Sequence, residues 1–202
     1  MGNLLPNKTV YNPEFTNVLR VYADRYYALG FNITMVCQNG KWPAHKWKSL
    51  QSRRQLVHEA FRHPWYHATG IGAITGIGSH YCFDFDKCNT DLIPYYHGIL
   101  GLPADYNWTA LSGSGEGFHI WFTCNDPPAI DSKVVVIRPG PTDSFKQVEL
   151  RLNAHTILPP SKHRSGGYYK FYRENNLLTK PNLISYEHII RFIRQSKSKT
   201  SI

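Results

Sequence analysis

Tyr81-Cys82-Phe83-Asp84-Phe85-Asp86 alternates apolar and acidic residues with a period of two, and that pattern constrains this chain more than any other. Successive side chains on a strand point to opposite faces, so the spacing predicts a strand with Phe83 and Phe85 in a core. Asp84 and Asp86 then share the other face. Two carboxylates roughly 7 Å apart on one strand face can converge on a single cation. Without a cation they repel, and burying either one unpaired is costly. The alternative is a strand end whose acids simply meet solvent.

The chain has 202 residues, 42% of them hydrophobic and 14% aromatic, which predicts a packed globule rather than disorder. Lys and Arg outnumber Asp and Glu by 23 to 14, a net charge of +9. Such a balance favours polyanions, nucleic acid first and an acidic membrane surface second, with a merely solubilising surface as the alternative. No apolar run approaches the ~18 residues of a membrane span. The start, Met1-Gly2-Asn3-Leu4-Leu5-Pro6, lacks the features of a secretory signal, and Pro6 stands where a myristoylation motif needs Ser or Thr. Cys37, Cys82, Cys88 and Cys124 form no C-x-x-C pair, although Cys82 and Cys88 are expected on the aspartate face. They read as reduced thiols of a cytoplasmic protein, and no zinc is expected.

Asn12-Pro13 opens a helix in which Phe15, Val18, Leu19, Tyr22, Tyr26 and Leu29 recur at helical spacing, with Gly30 as its stop. Phe31–Cys37 reads as a strand and Gln38-Asn39-Gly40 as a turn. Lys41 to Lys48 interleaves cations with Trp42 and Trp47, a composition suited to a phosphate or a stacked base, or to a tryptophan anchoring an irregular loop. A second helix is expected over Ser49–His63, ended by Pro64, with Arg53 and Arg54 on its polar side. Gly70, Gly72 and Gly76 punctuate the strand before the aspartates, which predicts close approach of another group. A helix follows at Asp91–Leu100 and a strand at Trp108–Leu111. Ser112-Gly113-Ser114-Gly115-Glu116-Gly117 then leads into Phe118-His119-Ile120-Trp121-Phe122. Taken alone this is a hairpin turn beside an ordinary strand histidine. A glycine-rich turn also exposes backbone N–H groups that can hold phosphate oxygens, with His119 as a further donor.

Val134–Ile137 reads as a buried strand. In Gln147-Val148-Glu149-Leu150-Arg151-Leu152 the apolar residues take one face and Gln147, Glu149 and Arg151 the other, making Glu149 a candidate third acid. Pro159-Pro160-Ser161-Lys162-His163 opens a polar, basic loop, and Tyr168–Tyr172 forms a short aromatic strand. The last helix starts near Ser185, with Tyr186, Ile189, Ile190 and Ile193 inside and Arg191 and Arg194 outside.

From about Gly30 to Phe171 these motifs resemble, in order, the prim-pol branch of the archaeo-eukaryotic primase superfamily. Gly40-Lys41-Trp42-Pro43 with Trp47 resembles its early Gly-Lys-x-Pro and Trp, and Gly72-Ala73-Ile74-Thr75-Gly76 its glycine strand. Phe83-Asp84-Phe85-Asp86 resembles the first catalytic motif, and Ser112 to His119 the second. Glu149 falls at the third acid, which is often Asp in relatives. Pro159-Pro160-Ser161-Lys162-His163 with Gly166 to Tyr169 resembles the Pro-Pro-Ser-x-His loop.

The resemblance implies an α/β (α+β) fold, the archaeo-eukaryotic primase catalytic core. An N-terminal α/β lobe (1–75) packs on an RRM-like lobe (76–172) with the active site between the sheets. Residues 173–202 form a terminal helix and basic tail, and the whole is one catalytic domain. It implies a DNA primase-polymerase extending, and in some settings initiating, strands on single-stranded DNA. Asp84, Asp86 and Glu149 would hold two Mg2+ or Mn2+ ions, with His119 as a further catalytic residue. Ser112, Ser114, Gly117, His119, Ser161, His163 and Lys41 would bind the nucleotide. Template, primer and nucleoside triphosphates are the implied partners, with a helicase or another replication or mobile-element protein beside them, and no membrane. Two rivals fit less of the chain. One is a non-catalytic single-stranded-nucleic-acid-binding module of the same fold. The other is a D-x-D glycosyltransferase, which leaves the Pro-Pro-Ser-x-His loop unexplained.

Overall fold

The computed structural model describes residues 12–37, 42–62, 65–129, 132–137 and 146–198. Asn12 caps the first helix, its side-chain oxygen accepting from the Phe15 amide at 3.1 Å, and Pro13 fixes the first turn. This helix, α1 (Pro13–Ala28), buries Thr16, Leu19, Ala23 and Tyr26, whereas Val18, expected inside, is exposed. Gly30, at φ +98°, reverses the chain into β1 (Asn32–Cys37). β2 (Trp42–Pro43) pairs with the end of β1, Cys37 opposite Trp42. The turn expected at Gln38–Gly40, and Lys41 with it, lie outside the described residues.

The helix expected over Ser49–His63 does not form as one element. A 3-10 turn at Lys48–Gln51 and a short α2 (Val57–Phe61) flank an irregular stretch. That stretch is drawn against β1 instead. Asn32 Nδ2 donates to the carbonyls of Leu50 and Arg53, and the Gln55 amide bridges both the N–H and the C=O of Ile33. Arg54, expected on a polar helix face, stays exposed and donates to the carbonyls of Phe31 and Tyr27. The expected stop at Pro64 lies outside the described residues.

The chain continues through β3 (Gly70–Ile74), β4 (His80–Asp86), α3 (Ile93–Ile99), β5 (Thr109–Leu111) and β6 (Gly117–Thr123). β7 (Val134–Ile137), β8 (Gln147–Arg151), β9 (His155–Leu158), β10 (Lys170–Phe171) and α4 (Tyr186–Ser198) complete it. The strands form two sheets, a four-stranded one in the order β2-β1-β3-β9 and a six-stranded one in the order β10-β5-β6-β4-β8-β7. Every named strand pair is antiparallel, so the fold is mixed α and β with two antiparallel sheets. β9 follows β8 closely in the chain yet pairs with β3, and the two sheets therefore interleave along the sequence.

As the alternation predicts, Phe83 and Phe85 are buried on one face of β4. They pack under α4 and α3, with Phe83 4.8 Å from Phe192 and Phe85 4.5 Å from Tyr96 between ring centroids. Phe192 joins Ile189 and Ile193 on the buried side of α4, while Tyr186, expected inside, is exposed. β7 was expected to be buried, but it is the edge strand of its sheet and only Ile137 is enclosed. Cys88 lies past the end of β4 in the core rather than on the aspartate face, and all four cysteines are free. Among the described residues no helix is long and apolar enough to cross a membrane.

Residues on the other face of the six-stranded sheet reach the four-stranded one, as His119 of β6 meets the Ile157 carbonyl of β9. At one end Phe31 fills the space, stacked on Trp108 at 5.6 Å and edge-on to Trp121 at 5.6 Å. At the opposite end, beyond His119, the sheets part and leave a cleft.

Candidate active site

β4 is hydrogen-bonded along both sides, so its register fixes which side chains meet on the open face. Asp84 stands opposite His119 of β6 and opposite Glu149 of β8. One row outward, Asp86 stands opposite Gly117 and Gln147, and one row inward Cys82 stands opposite Trp121 and Arg151. Directly opposed residues share a face. Asp84, His119 and Glu149 therefore form a single row across three strands, with Asp86 beside them.

Charge in this row is tightly compensated. Arg151 Nη2 lies 2.8 Å from Asp84 Oδ2 and 2.7 Å from Glu149 Oε2, and its Nε donates to Asp84 Oδ2 at 3.1 Å. His119 Nε2 is 3.3 Å from Asp84 Oδ1, and Gln147 Nε2 donates to Glu149 Oε1 at 2.8 Å. Burial would push the Asp84 carboxyl up, but His119 and then Arg151 outweigh it and hold it well below the usual carboxylate range. Burial likewise opposes the charge of Arg151, which Asp84 and Glu149 more than restore. The other ring nitrogen of His119 faces the Ile157 carbonyl of β9 at 3.3 Å, so this side chain ties the two sheets together. Asp86 is different. Its side chain is about half exposed and, among the described residues, its one ion pair is with Lys146 Nζ at 3.9 Å.

The Ser112–Gly117 loop lies at the same end of the cleft. Gly117 starts β6 at φ +114°, where an added Cβ would also overlap the Phe85 carbonyl, so no other residue fits there. The loop does not present a row of open amides. Ser112 N donates to Gly117 O, Gly115 N to Ser112 O, and the amides of Ser114 and Glu116 to the Ser112 and Ser114 hydroxyls. What it offers the cleft is hydroxyl oxygen, from Ser112 and Ser114. The Pro-Pro-Ser-x-His loop is clasped to it through Ser165 Oγ, which donates to Gly113 O at 3.0 Å and meets His163 Nδ1 at 2.8 Å.

Not every expected site residue reaches the cleft. Asp84, Asp86, Glu149, His119, Ser112, Ser114 and His163 line it. Ser161 does not. It is fully buried beneath Gly70, its hydroxyl accepting from the Ile71 amide at 2.8 Å and donating to Leu158 O, and it serves there to seat the loop on β3. Gly117 shapes the backbone beside Asp86, and Lys41 lies outside the described residues.

The cleft encloses about 580 Å³, the scale of a small-molecule site. Its walls add Arg151, Arg164, Lys87, His155 and Tyr169, to which the sequence assigned no role, and Trp42 and Trp47, whose stretch is suited to a phosphate or a stacked base, join them from the side of the four-stranded sheet. Arg151 was visible as a face-mate of Glu149, two residues along the same strand. Lys87, just past β4 at φ +51°, had no comparable signal.

Hard carboxylate oxygens on one face of adjacent strands are the donor chemistry of Mg2+ or Mn2+, and Asp84, Asp86 and Glu149 fit that requirement. Among the described residues no group of three or more His, Cys, Asp or Glu side chains is gathered into a metal-holding set. Arg151 instead pairs with two of these acids, Asp84 and Glu149.

Comparison with known proteins bears on the same span. The family model for the bifunctional DNA primase/polymerase, N-terminal, matches residues 23–183, which include both sheets and every residue of the cleft. No curated protein matches the chain.

Proposed function

The chain belongs to the bifunctional DNA primase/polymerase family, and on that premise we propose that it adds nucleotides to a strand paired with single-stranded template DNA, with Asp84 at the centre of its active site. The observation carrying this reading is the row Asp84–His119–Glu149, held by three adjacent strands in the cleft, with Asp86 one row outward. At the family's level of description the activity is that of a primase/polymerase nucleotidyltransferase whose substrates are DNA and nucleotides. The six-stranded sheet is read as the RRM-like catalytic lobe of a single domain and the four-stranded sheet as its N-terminal lobe.

Asp84, Asp86 and Glu149 are the residues that would hold Mg2+ or Mn2+. Two such ions, when bound, make the primer 3′-hydroxyl a better nucleophile at the α-phosphate and neutralise charge on the departing pyrophosphate. The chain itself binds and orients. Ser112, Ser114, His163 and the exposed Arg164 face the cleft from one side and are assigned the β- and γ-phosphates. His119 positions Asp84 and lines the same wall, and its assignment to a phosphate requires Nε2 to turn away from Asp84. Trp42 and Trp47, on the other side, offer faces on which a base can stack. The net charge of +9 holds template through its phosphates, largely without regard to sequence.

Starting a strand needs a second nucleotide whose 3′-hydroxyl sits within about 3–3.5 Å of the α-phosphate, whereas extension needs only a primer end already stacked in place. The acid row and the side chains assigned to phosphates gather in this cleft around one nucleotide's triphosphate, which favours extension. A gel assay with deoxyribonucleotides or ribonucleotides, with or without primer, in Mg2+ or Mn2+, tests the reading. Ready primer extension and weak unprimed synthesis are expected. Template binding without nucleotide addition in any combination would leave a non-catalytic nucleic-acid-binding module.

A further inference from the structure

Arg151 is more than a face-mate of the acids. Four carboxylate oxygens belong to Asp84 and Glu149, and each is met by a protein donor. His119 Nε2 meets Asp84 Oδ1 at 3.3 Å, and Arg151 meets Asp84 Oδ2 at 2.8 Å and Glu149 Oε2 at 2.7 Å. Gln147 takes Glu149 Oε1 at 2.8 Å. Asp84 and Glu149 are directly opposed on neighbouring strands, a placement in which two bare carboxylates repel. The guanidinium removes that repulsion by bridging them through Nη2, while Nε adds a second bond to Asp84 Oδ2 that an ammonium would lack. Its third anchor is the His155 carbonyl at 3.4 Å, from the four-stranded sheet.

Resting on the assignment of Asp84, Asp86 and Glu149 as ligands of a divalent cation, we propose that Arg151 is a tethered counterion with which that cation exchanges. A small divalent ion binds carboxylate oxygen at about 2.0–2.1 Å. At that distance from Asp84 Oδ2 or Glu149 Oε2 it would be pressed against the guanidinium charge, so both cannot occupy the bridge. Asp86 does not take part in the bridge and remains open to solvent, which makes it the first point of contact. Loading of the site then requires Arg151 to withdraw from both acids, and the freed side chain remains in the cleft. The exchange opposes cation binding to the protein alone. Arg151 is on this account a positioning residue: it holds the two acids together and in register until the cation replaces it.

Mn2+ titration of the nucleotide-free protein, followed by the electron paramagnetic resonance of the free ion, tests the exchange without relying on activity. Arg151→Gln is expected to bind Mn2+ at least tenfold more tightly than the wild type, and Arg151→Lys, which keeps charge but loses the fork, to fall between them. Lys146→Gln is the control for plain charge removal. Lys146 also faces a site acid, but at 3.9 Å and well exposed, so its loss is expected to change affinity by no more than about fivefold. A structural role alone would make Arg151→Gln bind less tightly. If the Gln variant does not fold, Arg151→Lys carries the test. Unchanged or weaker Mn2+ binding in both Arg151 variants, or an equal gain in Lys146→Gln, overturns the exchange. If wild-type binding is also unaffected by Asp84→Asn, the assignment of the metal site fails as well; if Asp84→Asn abolishes it, that assignment stands and only the exchange falls.

Discussion

Asp84 is a carboxylate whose pKa burial alone would raise and that His119 and Arg151 hold below its ordinary value. A group whose folded pKa is depressed contributes stability above its unfolded value and loses it as pH falls through the folded one. For Asp84 that loss is confined to pH below about 4, its ordinary value being 3.8. The acid sensitivity at milder pH comes from elsewhere. Burial lowers His80 to about 4 and His155 to about 3, against an ordinary 6.5, so both are neutral when folded and take up protons when unfolded. Each therefore costs stability as pH falls from 6.5 toward its folded value, at up to about 1.4 kcal/mol per pH unit. Denaturant unfolding at pH 7 and pH 5 is expected to show a less stable protein at pH 5. His80→Phe, whatever it does to stability at pH 7, is expected to reduce that difference. An unchanged pH dependence in the variant would mean that His80 is protonated in the folded protein.

At the scale of elements, β3 is built to let two side chains cross it. A Cβ on Gly72 would overlap His155 Nε2 and approach Thr34 Oγ1, the two atoms that meet at 2.8 Å across β1, β3 and β9. Gly72→Ala is expected to destabilise by about 1–3 kcal/mol through overpacking, lowering the melting temperature by roughly 2–4 °C per kcal/mol. A melting temperature equal to wild type would show that His155 can leave its place freely. The glycine spacing in the sequence made such an approach legible, although the partners were not. The same holds for other elements. Alternation alone located the Asp84 and Glu149 faces, because a period of two is local information. That the two residues would be directly opposed is long-range pairing, which no local pattern encodes. The Ser49–His63 helix failed because the Asn32 side chain of β1 offered partners to the Leu50 and Arg53 carbonyls and the Gln55 amide, while the Gln55 side chain bonded the backbone of Ile33. Ser161 looked like a loop hydroxyl available to ligand, but Gly70 leaves room for it to turn inward.

At the scale of the molecule, two antiparallel sheets are in side-chain contact, apolar around Phe31 and polar around Asp84. Strands of both sheets contribute to the polar end, and the loops bearing Ser112 and His163 are clasped there through Gly113. The motif order in the sequence anticipated these parts. It gave no hint that Arg151 would be shared between two acids, since that depends on side-chain direction after folding. Everything assigned to the cleft rests on Asp84 as the residue that makes it an enzyme site. Nucleotide addition to a primer end, measured on wild type and Asp84→Ala with template binding read on the same samples, tests this most directly. The variant is expected to bind template about as well as wild type and to lose addition by roughly 100-fold or more. Addition by Asp84→Ala within a few-fold of wild type would contradict the account.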